Sequence, residues 1–134
     1  VQDVLERALS KFAGSAIHTV CAGRTDTGVH GLNQVVHLDS PVERESYSWV
    51  RGTNTYLPED MAVQWCQPVD PSFHARNAAR GRRYSYRLLQ SPVRPSLEAG
   101  LCGWVFGELD QAAMQADLRV YSTGVKNHRG QFRL

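Results

Sequence analysis

The stretch Gly23-Arg24-Thr25-Asp26-Thr27-Gly28-Val29-His30-Gly31 constrains this chain more than any other. It lies between two apolar, β-rich runs, residues 17–22 and 33–38. A glycine-studded polar segment between two such runs reads as strand, loop, strand. Its glycines permit positive φ and close approach of a ligand to the backbone. The loop also carries an arginine and a carboxylate two residues apart, Arg24 and Asp26. On composition alone these two charges fit a solvated surface turn as well as they fit a site.

The rest of the chain is consistent with one soluble domain. Its 134 residues can bury a real core but not two ordinary ones. Its apolar and charged fractions are those of a globular protein. The formal net charge of +2 says little about partners. Lys11 and Lys126 are the only lysines among 15 basic residues, which favours planar, bidentate phosphate contacts and stacking. Cys21, Cys66 and Cys102 are odd in number, widely spaced and without a CxxC, so they read as reduced thiols of a cytoplasmic protein. No run approaches the apolar length of a membrane span, and no signal peptide is visible. The sequence opens on Val1 inside a helical pattern, from which a fragment is expected.

Val1, Val4, Leu5, Ala8, Leu9 and Phe12 form one apolar helix face, with Asp3, Glu6, Arg7, Ser10 and Lys11 opposite. Gly14 and Ser15 stop the helix. A strand over 17–22 feeds the loop, and a second over 33–39 leaves it. His18, His30 and His37 have no metal-ligand spacing and read as locally hydrogen-bonded. A weak helix over 46–56, interrupted by Gly52, ends before Pro58. Residues 61–66 read as a third strand with core residues. Residues 100–105 read as a short strand or an extended approach, and Leu109-Asp110 as a helix start.

The second informative stretch is Phe73-His74-Ala75-Arg76 through Arg80, Arg82, Arg83, Tyr84, Tyr86 and Arg87. The segment from Pro71 to Arg94 holds no acidic residue. Guanidiniums bind phosphates and tyrosine rings stack on exposed bases, so the pattern suits RNA. A solvated basic strand edge is the plainer reading. As a strand, this stretch would put Tyr84 and Tyr86 on one face and Arg83, Ser85 and Arg87 on the other.

The loop resembles the signature of the TruA family of tRNA pseudouridine synthases, Gly-Arg-Thr-Asp-Ala-Gly-Val-His. It is matched at Gly23, Arg24, Thr25, Asp26, Gly28, Val29 and His30, with Thr27 in place of alanine. The opening Val-Gln-x-x-Leu-Glu-x-Ala-Leu run, Asn54 with Leu57-Pro58-Glu59-Asp60, the Phe-His-Ala-Arg and Arg-x-Tyr-x-Tyr segments, and Leu109-Asp110 with Met114 are also similar to the family. The similarity fades after about Ala116. The resemblance therefore implies a partial synthase domain over 1–116 that lacks the family's first strand, and a divergent tail over 117–134, frameshifted, foreign or disordered. It implies an α+β fold: an antiparallel sheet with helices on one face, the ferredoxin-like half of a synthase subunit.

The implied activity is isomerisation of uridine to pseudouridine in a tRNA anticodon stem-loop. By resemblance Asp26 is the catalytic aspartate and Arg24 helps hold the displaced nucleotide. Tyr84 packs against the target base, with Tyr86 following it toward the core. Arg76, Arg80, Arg82 and Arg83 would grip the phosphates. Because substrate and product are isomers, no cofactor and no metal are expected. The family's homodimer and tRNA are the implied partners, with no membrane. The missing first strand and C-terminal half imply an incomplete active site, and a chain that alone is weak or inactive. Two other functions stay open on the residues: a non-catalytic RNA-binding α+β module using the Arg/Tyr face, and a hydrolase built on Asp26 with His30.

Overall fold

The computed structural model describes residues 1–122. Its elements run α1 (Gln2–Ala13), β1 (Thr19–Cys21), β2 (Val36–Leu38), α2 (Ser46–Asn54), β3 (Leu88–Gln90), β4 (Gly103–Val105) and α3 (Gln111–Ser122). The class is α+β, as the sequence led one to expect. The described residues divide into two units. The first comprises Val1–Thr25 and Gly31–Ala78; the second comprises Asp26–His30 and the residues from Ala79 onward.

In the first unit the order helix, strand, strand, helix is the interior of a βαββαβ ferredoxin-like motif. The apolar stripe of α1 buries Ala8, Leu9 and Ala13, and Gly14 closes the helix at φ 74° with its N–H on the Ser10 carbonyl at 2.9 Å. Only a left-handed residue can end the helix in this way, which favours glycine. Val1, the first residue of the expected stripe, is exposed. Leu9, Ala13, Ile17 and Trp49 form the core, with Leu5, Phe12, Leu38, Val42 and Cys66 packed against it. The Phe12 ring meets Trp49 edge-on, with centroids 5.3 Å apart.

Gly52 does not interrupt α2; the helix runs through it. A Cβ at this position would overlap the Phe12 ring, so the glycine is what lets α1 press into α2. Residues 61–66, expected as a strand, form none. The side chain of Asn54 does the pairing instead: it donates to the Val63 carbonyl at 2.9 Å and accepts the Val63 N–H at 2.7 Å. With both main-chain groups of Val63 satisfied by one amide, the segment is anchored without a ladder.

β1 and β2 pair antiparallel, with Thr19 opposite Leu38, Val20 opposite His37 and Cys21 opposite Val36. The regular strands are shorter than the expected 17–22 and 33–39, although Ala22 N–H still reaches the Val35 carbonyl at 2.8 Å. Side chains cover the outer edge of β1. Gln2 donates to the Thr19 carbonyl at 2.8 Å, and Glu6 accepts the Thr19 N–H at 2.7 Å. Glu6, expected on the solvent side of α1, is therefore a half-buried tie between helix and strand.

In the second unit β3 and β4 pair with Leu88 opposite Gly103 and Gln90 opposite Val105. This pair is parallel, whereas antiparallel pairing was expected throughout. The turn-rich segment 91–102 is long enough to return the chain to the same end, as a parallel pair requires. Trp104 Nε1 donates to the Ser91 carbonyl at 2.9 Å, and Asp110 caps α3 by accepting the Ala113 N–H at 2.9 Å. No residue of this unit is among the buried core of the described residues. The divergent tail expected from residue 117 lies, from residue 123 on, outside the described residues.

Candidate active site

The loop begins where β1 ends, in the first unit. Gln34 Nε2 donates to the Gly23 carbonyl at 2.6 Å and closes the loop stem, and Arg24 is exposed just beyond it. Arg76 belongs to the same unit. It sits in a turn over residues 75–77, and its Nε lies 3.4 Å from the Cys21 carbonyl. The turn is held by two imidazoles. Ala75 N–H donates to His37 Nδ1 at 3.1 Å, and Asn77 N–H donates to His74 Nδ1 at 3.3 Å. The two rings are 4.9 Å apart, and Phe73 meets His37 edge-on at 6.1 Å. The hydrogen bond of His37 is thus not local, as the sequence suggested, but spans 38 residues.

Asp26 belongs to the second unit. Its carbonyl accepts the Val29 N–H at 3.1 Å, which closes a four-residue turn with Gly28 at φ 83°. A third turn residue with positive φ calls for glycine. His30 Nε2 lies 3.1 Å from the Gly100 carbonyl and fastens the turn within its unit. Asp26 is exposed at the first position of this turn. A carboxylate so placed is open to solvent and outside the buried core.

Arg80, Arg82, Arg83 and Tyr84 are also in the second unit. They do not lie on a strand. Residues 79–87 have no regular secondary structure, and the ladder starts only where Gly103 N–H reaches the Arg87 carbonyl at 2.8 Å. The expected alternation of Tyr84 and Tyr86 on a sheet face is therefore corrected: a strand is set by a paired neighbour, and the ladder with β4 begins only at that carbonyl. Tyr84 is 43% exposed and Tyr86 64%, so Tyr86 does not run into a core. Arg80 and Arg83 are exposed and Arg82 is half-buried. The residues singled out from sequence are thus divided: Asp26, Tyr84, Arg80, Arg82 and Arg83 fall in one unit, and Arg24 and Arg76 in the other. The bond from Ala75 N–H to His37, next to Arg76, was missed, because nothing in the spacing joins residues so far apart.

No family model matches the chain. Among curated proteins it is 68% identical over 115 residues to tRNA pseudouridine synthase A of Methylibium petroleiphilum, covering 86% of this chain and 44% of that protein. It is 65% identical over 119 residues to tRNA pseudouridine synthase A of Delftia acidovorans, covering 89% and 42%. With the protein of that name from Paracidovorax citrulli the identity is 64% over 119 residues. The chain belongs to the TruA family of tRNA pseudouridine synthases. It spans less than half the length of these TruA relatives. Among the described residues no helix is long and apolar enough to cross a membrane.

Proposed function

We propose that this chain is the part of a tRNA pseudouridine synthase that carries the catalytic aspartate and much of the basic tRNA contact surface. The observation that carries the reading is Asp26 itself: an exposed carboxylate at the head of a glycine-dependent turn, inside a loop that matches the TruA signature. The reaction breaks the N1–C1′ glycosidic bond of uridine, turns the freed uracil and joins its C5 to C1′. Atoms and electrons balance without a co-reactant. The target nucleotide must first leave its stack, at a cost of roughly a few kcal/mol. Asp26 then acts at the ribose, as nucleophile at C1′ or as base at the sugar. Tyr84 offers a stacking wall for the displaced base, and Arg24 steadies the nucleotide. Arg76, Arg80, Arg82 and Arg83 bind phosphates of the anticodon stem-loop. The setting of this reading is the cytoplasm, with tRNA and a second copy of the chain as partners.

The test is tRNA carrying tritium at uridine C5, since formation of the new C5–C1′ bond releases that label. Release that disappears in Asp26→Ala supports the synthase. A second reading, an RNA-binding module without catalysis, is favoured by the exposure of Arg80, Arg83 and Tyr84 along one acid-free segment. Tight tRNA binding with no release from the wild-type chain would select it.

A further inference from the structure

Resting on the reading of Arg76 as a tRNA contact, we propose that His37 is a positioning residue for that arginine. From the middle of β2 it fixes the turn over residues 75–77, so that the Arg76 guanidinium stands beside the end of β1, where the signature loop leaves the sheet. The central observation is the Ala75 N–H on His37 Nδ1 at 3.1 Å. Ala75 is only 3% exposed, so water offers this N–H no alternative. Leaving such a group unpaired is expensive, and the imidazole therefore decides where the turn sits. Because Nδ1 accepts, the proton of the neutral ring is on Nε2.

His37 is itself fixed, since it is paired with Val20 in the ladder and its ring touches those of Phe73 and His74. The turn is also closed from within, by Asn77 N–H on His74 Nδ1 and by Ala78 N–H on the His74 carbonyl at 2.8 Å. Arg76 thus lies between two anchored amides, those of Ala75 and Asn77. Its own bond to the Cys21 carbonyl, at 3.4 Å, is at the weak end of the hydrogen-bond range and cannot by itself hold a long side chain. The place of the guanidinium comes from its backbone, and the backbone is set by His37. Only Nε is used in that contact, which leaves the two terminal nitrogens for a bidentate phosphate contact.

The test is a double-mutant cycle in tRNA binding with the full chain, using His37→Ala, Arg76→Ala and the pair, together with His37→Asn. The asparagine carbonyl falls about where Nδ1 was and keeps the acceptor. Each alanine variant is expected to weaken binding about fivefold, the size of one lost phosphate contact. The pair should be no weaker than Arg76→Ala alone, and His37→Asn should bind like wild type. Hydrogen exchange at the Ala75 amide should quicken in His37→Ala and stay slow in His37→Asn. Effects that multiply across the cycle, failure of asparagine to restore binding, or slow Ala75 exchange in His37→Ala would each overturn the role of His37 while leaving the tRNA reading intact. Failure of the wild-type chain to bind tRNA would remove the tRNA reading and the proposal with it.

Discussion

The carboxylate of Glu6 grips Thr19 twice, at its backbone N–H (2.7 Å) and at its hydroxyl (2.9 Å). Thr19 is 6% exposed, so water cannot replace either bond. Glu6→Ala is therefore expected to destabilise the fold by about 2 kcal/mol, the penalty for an unpaired buried donor. The amide of Gln2, the two Thr19 donors and the nearby His18 ring hold the Glu6 carboxyl below the usual glutamate range, against a smaller opposing effect of burial. A lowered folded value stabilises the protein above the unfolded value of about 4.3, and that stability is lost as the pH falls through the folded value. Urea unfolding of wild type and Glu6→Gln at pH 7 and below pH 4 checks this. The glutamine variant, which keeps an acceptor, should lose less stability on acidification than wild type.

Gly52→Ala sets two effects against each other. Alanine is the better helix former by about 1 kcal/mol. Its Cβ, however, would overlap the Phe12 ring, which is already packed on Trp49 and has the Arg44 guanidinium 4.8 Å from its centre. Forcing one extra carbon into a packed site typically costs about 1–3 kcal/mol. The clash should win, and the variant should melt at a lower temperature than wild type. An unchanged or raised Tm would mean that the two helices can part at little cost.

How far the sequence foretold this structure can be judged from single residues. The face of α1, its stop at Gly14 and the start of α3 at Asp110 were legible because they depend on neighbours three or four positions away. The loop between β1 and β2 was legible because glycine and β-branched residues punctuate it. Residues 61–66 misled because their apolar content suits a strand, while the partner that anchors Val63 is one side chain, Asn54. Tyr84 and Tyr86 misled for a related reason: alternation describes a strand only where a second strand pairs with it. Within the candidate site, the residue types and the loop could be read directly. The bond from Ala75 N–H to His37 could not, since a contact across 38 residues leaves no local pattern.

Cys21 is 7% exposed at the end of β1, and burial pushes its thiol above the usual cysteine range. Less thiolate and little access both slow alkylation. Under native conditions at neutral pH, iodoacetamide should label Cys21 on the order of 100-fold more slowly than in denaturant, because labelling must wait for local opening. Peptide mass spectrometry of timed samples measures the ratio. Labelling of Cys21 at equal rates in both conditions would contradict its burial at the end of β1.

Gly28→Ala probes the turn that carries Asp26. A non-glycine residue at φ 83° is strained by about 1–2 kcal/mol. The turn is closed by one backbone bond, Val29 N–H to the Asp26 carbonyl, whose net worth is about 0.5–1.5 kcal/mol. The strain is comparable to what the bond supplies at the low end and larger at the high end, so the turn should open rather than bear it. Because the turn is exposed, the loss stays local: the Val29 amide should exchange faster while Tm stays close to wild type. Where tritium release from tRNA is measurable, it should fall about tenfold, the rate equivalent of 1.4 kcal/mol. Slow Val29 exchange together with undiminished release would show that the alanine is accommodated, and that Gly28 is not what holds Asp26 in place.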